Sequence, residues 1–237
     1  MILSWNIPAV AGGDPAKFAA ALVDAGFEGV GLKGGDGDLV FSQSSEGAWP
    51  KWGENIKAEL VAALRKAGLK VYIWHFLYGG DPAGELAIAD RNCTMYHPDG
   101  YIWDVESAFD GKPAADVNAR LISKGLRKAH PDIAQGLCWW ALPKDPQHPT
   151  NEWHPVHVAK AFAETVDCIL PMMYWGGSKP VEALAYLQAS LDIWSGICGL
   201  PILPVGRAYT GDGGTIEADA IAAFGQRVYE WRDSHHL

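Results

Sequence analysis

No two cysteines of this chain stand close enough for a Cys-x-x-Cys pair: Cys93, Cys138, Cys168 and Cys198 are widely spread. That spacing gives zinc no ligand set. Cys138 and Cys168 fall in apolar strand-like runs, where free cysteine behaves as a small buried hydrophobe, so reduced thiols are expected rather than a disulfide framework. Basic charge is also scarce. With 19 Lys and Arg against 28 Asp and Glu, the net charge of -9 argues against nucleic acid or an anionic membrane as partner. No apolar run approaches the roughly 20 residues of a membrane span. The start MILSWNIPAV has no basic segment ahead of an apolar one, so no signal peptide is visible and a soluble protein is expected. The first strand-like run is followed by Pro8-Ala9-Val10-Ala11-Gly12-Gly13, which lacks the Gly-x-Gly-x-x-Gly of a dinucleotide site. His97, His148, His154 and His157 lie outside any metal-like spacing. No metal or organic cofactor is expected.

What the chain has instead is a regular alternation of apolar strand-like runs and helical patterns, the signature of a parallel α/β fold. Its 237 residues, 49% hydrophobic, fit one large domain spanning residues 1–237. Strands are expected at residues 2–7, 29–33, 70–78, 99–106, 135–142, 168–175 and 202–209. Helices are expected at 15–25, 55–67, 82–91, 113–129, 156–165, 181–193 and 215–232, with 34–52 as a loop. Asp14-Pro15 and Asp81-Pro82 are cap-and-proline helix starts, and Gly26 and Gly68 are helix stops. This rhythm points to a (β/α)8 TIM-type barrel. Its eighth strand is short, irregular or missing, because only residues 232–237 remain after Trp231.

The rest of the chain is organised around Asp99-Gly100-Tyr101-Ile102-Trp103-Asp104-Val105-Glu106. On a strand, Ile102, Asp104 and Glu106 point one way and Tyr101, Trp103 and Val105 the other. Two carboxylates about 6.6 Å apart along the backbone disfavour each other's ionisation, so one can stay protonated near neutral pH. Acid-assisted cleavage of a glycosidic bond needs that arrangement. A surface Asp-x-Glu is more often only a solvated strand end, and the surroundings must decide. In such barrels the site gathers at the C-terminal strand ends. These carry Asn6, Lys33, Asp36, His75, Tyr78, Trp140, Tyr174, Trp175, Arg207 and Tyr209 around the two carboxylates. Trp49, Trp52 and Trp153 add aromatics from the loops. Ring faces beside carboxylates suit a sugar, whose C–H faces stack while its hydroxyls take hydrogen bonds. Candidate substrate contacts are therefore Asn6, Asp36, His75, Trp140, Tyr174, Trp175, Arg207 and Tyr209.

Each of these has a plainer reading. Trp74, Trp103 and Trp194 are expected to be packing residues, and strand alternation lets only one of Trp139 and Trp140 face the lumen. His75 shares a face with Val71 and Ile73, where a lone histidine is as often structural. The loop Gly211-Asp212-Gly213-Gly214-Thr215 could hold a phosphate, as barrels do after strands seven and eight, but Asp212 brings negative charge to it.

Several stretches resemble the family 25 lysozymes: Ala25-Gly26-Phe27-Glu28-Gly29-Val30-Gly31-Leu32-Lys33 with its acidic-glycine continuation, Ala67-Gly68-Leu69-Lys70-Val71-Tyr72-Ile73-Trp74-His75-Phe76, and Asp104-Val105-Glu106. The fourth-strand run Asp99 to Glu106 is similar to the family 18 chitinase signature except for Ile102, and Pro171-Met172-Met173-Tyr174-Trp175 is similar to its sixth-strand element. The resemblance implies Glu106 as proton donor and Asp104 as its partner, orienting a substrate N-acetyl group that Tyr174 helps to hold. It implies a glycoside hydrolase acting on N-acetylhexosamine polysaccharide, foremost peptidoglycan, outside the cytoplasm or delivered by a phage. Asn6 and Ile102 stand where these families carry aspartates. This keeps open a carbohydrate-binding barrel without turnover, and the Gly-rich loop keeps a phosphate-ligand barrel enzyme as a third reading.

Overall fold

In the computed structural model, residues 1–41, 54–148, 150–175, 179–206 and 217–234 are described. They fall into two compact units, Met1–Gly136 and Leu137–Leu237. The first unit begins with β1 (Ile2–Ser4), shorter than the expected run. Pro8 has no N–H to give to a ladder, and Ile7–Gly13 coils into 3-10 turns instead. Then come α1 (Pro15–Asp24), β2 (Gly29–Asp36) and β3 (Leu39–Val40). They are followed by α2 (Ala58–Lys66), β4 (Lys70–Leu77) and α3 (Pro82–Tyr96). Last are β5 (Gly100–Val105), the one-turn α4 (Ser107–Asp110) and α5 (Ala115–Ala129). Asp14 caps α1 through hydrogen bonds from Ala16 N and Lys17 N, and Asp81 caps α3 by accepting from Gly84 N, as the Asp-Pro starts predict. α3 runs a full turn past its expected end. Asn92, Cys93 and Thr94 are weak helix formers, but Cys93 and Tyr96 are buried beneath the helix and override that preference.

Within this unit β1–β2, β2–β4 and β4–β5 pair in parallel. The alternation of β4 separates two faces: Val71, Ile73, His75 and Leu77 are buried, whereas Tyr72, Trp74 and Phe76 keep part of their surface. Val30 and Leu32 pair with Val71 and Ile73 on the buried face, and Tyr101 pairs with Ile73. The other, open face of the sheet is the one on which Asp104 pairs with Phe76.

Residues 34–36 were expected to start a loop. They continue β2, which returns as antiparallel β3 through a turn at Gly37, φ 61°. Glycine reads as a loop former by propensity, but here the missing side chain is what the strand requires. A Cβ on Gly34 would stand 2.6 Å from Ile73, and one on Gly35 would press into the His75 ring. Gly34 is also one residue too many: Lys33 pairs with Trp74 and Gly35 with His75, a bulge in β2. Its displaced carbonyls are satisfied from afar. Asn92 Nδ2 donates to Gly34 O at 3.1 Å and Asn55 Nδ2 to Lys33 O at 2.9 Å, and both asparagines are buried.

β6 (Ala134–Trp140) starts in the first unit and ends in the second. The second unit continues with α6 (Val156–Ala163), β7 (Cys168–Met173), α7 (Pro180–Ser195), β8 (Val205–Gly206) and α8 (Ala218–Ser234). The seventh expected strand is reduced to a bridge at Ile202 and the pairs Met172–Val205 and Met173–Gly206. Pro201 and Pro204 remove two ladder donors there, and residues 207–209 lie outside the described residues. Trp194 Nε1 donates to Trp140 O and Ser190 Oγ to Ala141 O, tying α7 to the end of β6. The four cysteines are free thiols, with Cys93 and Cys138 buried. Among the described residues, seven parallel strands each lead into helix, β3 adds an antiparallel edge, and no strand follows β8. This is the α/β alternation of a TIM-type barrel.

Gly35→Ala should destabilise the protein by about 1–3 kcal/mol, because the His75 ring that a methyl would meet is buried and held by two hydrogen bonds. Urea unfolding measures this, and a loss within about 0.5 kcal/mol would show that the strand has room.

Candidate active site

Asp104 sits one residue from the end of β5, on the open face of the first unit. The residue keeps some exposed surface, yet its Oδ1 is enclosed and has no hydrogen-bond partner. Burial first, and then the neighbouring Glu106 and Asp36, push its carboxyl up to about 8, while Lys33 pulls the other way. At neutral pH Asp104 therefore carries its proton. Glu106 follows in extended backbone and is the N-cap residue of α4. Its carbonyl accepts from Phe109 N and Asp110 N, and its side chain does not cap the helix. Its carboxyl group is close enough to act electrostatically on Asp104.

Asp36 shares this open face because of the bulge. Residues three apart on a regular strand face opposite sides, but with Gly34 inserted, Lys33 pairs with Trp74 and Asp36 with Phe76. Lys33 Nζ consequently reaches Asp36 Oδ1 at 3.2 Å. It also lies over the rings of Phe41, Trp74 and Phe76, with centroids at 4.2, 5.1 and 5.6 Å.

His75 belongs to the opposite face. It has no exposed surface. Its Nε2 lies 2.7 Å from Gly37 O, which can only accept, so Nε2 carries the hydrogen and Nδ1 accepts from Tyr101 OH at 2.9 Å. Burial lowers its pKa to about 4 and keeps the ring neutral. His75 was expected among the substrate contacts; with no surface to offer, it instead holds the β2–β3 turn from behind. Trp103, on the same face, donates from Nε1 to Gln135, which donates to Ser123 O of α5. The expected packing role of Trp103 matches this position.

Two supports were not anticipated. Glu85 of α3 is buried and accepts from Tyr78 N and Gly79 N at 2.7 and 2.8 Å, fixing the exit of β4. The available signal was a glutamate in the first turn of a capped helix. Lys33 was visible at a strand end, but its cage of rings joins residues far apart in sequence. Asn6, just after β1, is half-buried, and its neighbour Trp5 is half-exposed.

In the second unit, Trp139 is buried edge-on to Trp194, while Trp140 is half-buried with its ring stacked on His154 at 4.1 Å. The alternation expected of this pair is present. Tyr174 is half-buried beyond β7. Trp175, expected on the rim, is instead enclosed and stacked on Phe224 of α8 at 5.1 Å. Trp153 is exposed. Arg207, Tyr209, Trp49, Trp52 and the Gly-rich loop 211–215 lie outside the described residues. Among the described residues, no three acidic, histidine or cysteine side chains are grouped for a metal ion, and no helix is long and apolar enough to cross a membrane.

The folded protein holds the Asp104 proton more tightly than an unfolded chain does. Its contribution to stability is therefore full below the ordinary value of 3.8 and is lost as pH rises towards about 8. Asp104→Asn should remove that loss, so that at pH 8 the variant is more stable than the parent by on the order of a few kcal/mol, the gap closing towards pH 4. Thermal unfolding across this range checks it; parallel pH dependence in both proteins would count against a buried, protonated Asp104.

No family model matches the sequence, and no curated protein sequence matches it. Solved structures do. A GH18 chitinase from Pseudoalteromonas aurantia superposes with a TM-score of 0.58 at 15% identity, over 95% of this chain and 89% of its own. The catalytic domain of a Streptomyces mannanase gives 0.57 at 13% identity, over 96% and 71%. The Bacillus megaterium spore cortex-lytic enzyme SleL gives 0.60 at 10% identity, over 97% of this chain and 57% of its own. At such identities the likeness establishes the fold, and the fold is the TIM-type barrel.

Proposed function

We propose that the chain is a glycoside hydrolase that cleaves polysaccharides containing N-acetylhexosamine, with Glu106 as proton donor and Asp104 assisting. The observation that carries this reading is the enclosed Asp104 carboxyl, protonated at neutral pH, two residues before Glu106 at a barrel strand end. Protonated Glu106 gives its proton to the glycosidic oxygen as the bond to the anomeric carbon breaks and the substrate's N-acetyl oxygen closes on that carbon; water then adds there, displacing the N-acetyl oxygen and returning a proton to Glu106. Asp104, still protonated, donates a hydrogen bond to the N-acetyl group and orients it. Asp36 and Asn6, in the same unit, are assigned to sugar contacts. Several barrels that share the fold are chitinases, one of them from Cycas revoluta solved with (GlcNAc)3, and another is a spore cortex-lytic enzyme. Peptidoglycan is the preferred polymer because of the family 25-like stretches and chitin the second candidate. A single barrel domain acting on an extracellular wall fits both.

A carbohydrate-binding barrel without turnover is the alternative, favoured by Asn6 and Ile102 at the two positions where the related families have aspartates. Release of reducing ends from peptidoglycan and from chitin separates the two readings. Glu106→Gln should lower it by about 10²- to 10⁴-fold, the worth of a positioned general acid. The parent's activity should fall as pH rises through about 8, where Asp104 loses its proton. Binding of either polymer with no release by the parent would establish the binding barrel.

A further inference from the structure

Two neighbouring rows cross the open face of the first unit. One reads Lys33, Trp74, Ile102 and the other Asp36, Phe76, Asp104. The first row ends on an apolar side chain at β5, directly beside Asp104 along the same face, and carries its charge at the far end, on β2. That charge is held with unusual care. The Lys33 side chain is only 13% exposed, its ammonium pairs with Asp36 at 3.2 Å, and three ring faces enclose it. Taking an ammonium out of water is costly unless ion pairing and ring faces compensate. A lysine needed only to satisfy Asp36 could do so from solvent, where such pairs are worth little. Instead Lys33 lies on this face by the regular alternation of β2, the Gly34 bulge brings Asp36 round beside it, and Asn55 fixes the Lys33 carbonyl.

We propose that Lys33 is a positioning residue of the carboxylate site: its caged ammonium, supplied across the sheet from β2, is the fixed counter-charge for the negative charge that the Asp104–Glu106 pair carries. The proposal rests on the hydrolase reading and deepens it. When Glu106 passes its proton to the leaving oxygen, a negative charge appears beside Asp104. A cation already held in place stabilises that charge without reorganising. The charged groups acting on the Asp104 carboxyl are Glu106, Asp36 and Lys33. Beyond Glu106, α4 carries the buried Asp110. β4 presents Phe76 to Asp104, while His75 and Tyr101 lie on the other face and are neutral.

Removing the ammonium lets Asp104 keep its proton to higher pH. In Lys33→Met the alkaline limb of the pH–kcat profile should therefore move up by about one unit with kcat reduced and KM nearly unchanged, and Lys33→Arg should restore the parent limb. A merely structural lysine would lower stability and leave the limb where it is. The same shift should appear without substrate, in the carboxyl-carbon NMR titration of Asp104, with Lys33→Gln as a second variant should Lys33→Met fail to fold. An unmoved Asp104 titration in the folded variants overturns the proposal. A parent that turns over no polymer sinks the hydrolase reading alone, since the NMR titration still decides whether Lys33 governs Asp104.

Discussion

A strand can take an extra residue only if something else accepts the carbonyls it displaces, and this condition governs the first unit. Gly34 enters β2 without a side chain because Ile73 and the α3 residue Asn92 already fill the space a Cβ would need. Asn92 and Asn55 then supply the hydrogen bonds that the ladder no longer makes. Once the bulge is in place, β2 changes which way it aims its side chains: before it Lys33, after it Asp36, both towards the carboxylates of β5. The pairing of Asp36 with Lys33 on that face follows from that one irregularity, and the tight β2–β3 turn comes directly after it.

The site also shows burial and charge working against each other. Enclosing Asp104 costs stability at neutral pH unless the group keeps its proton, and burial together with two neighbouring carboxylates outweighs one ammonium, so that it does. Glu106 and Asp36 reinforce the burial, and Lys33 opposes it. The result is two carboxyl groups on one short run of backbone with different environments, one enclosed on the strand and one at its end. Different environments are what allow chemically similar groups to take different roles.

Much of this was legible in the sequence because it depends on local rules. The strand–helix rhythm, the Asp-Pro helix starts and the two faces of β5 all follow from periodicities of a few residues, and they appear where expected. The misreadings involve partners remote along the chain. Gly34 and Gly35 look like a loop until Ile73 and His75, some 40 residues away, are seen to occupy the space of their missing side chains. Asn92 reaches across 58 positions to the bulge, and no window of sequence contains both. His75 was correctly placed on the Val71–Ile73 face, but the alternation rule cannot tell which face is covered. The shortfall in β8 has a local cause instead: Pro201 and Pro204 withhold donors that a ladder needs.

His75 meets the β2–β3 segment at two points, its ring against the bare Cα of Gly35 and its Nε2 hydrogen on the carbonyl of Gly37, whose left-handed backbone a larger residue would resist. None of the three positions can change comfortably alone. Positions 35, 37 and 75 therefore behave as one heritable trait, lost or kept together as this chain diverges, and drift at any one of them is held back by the other two.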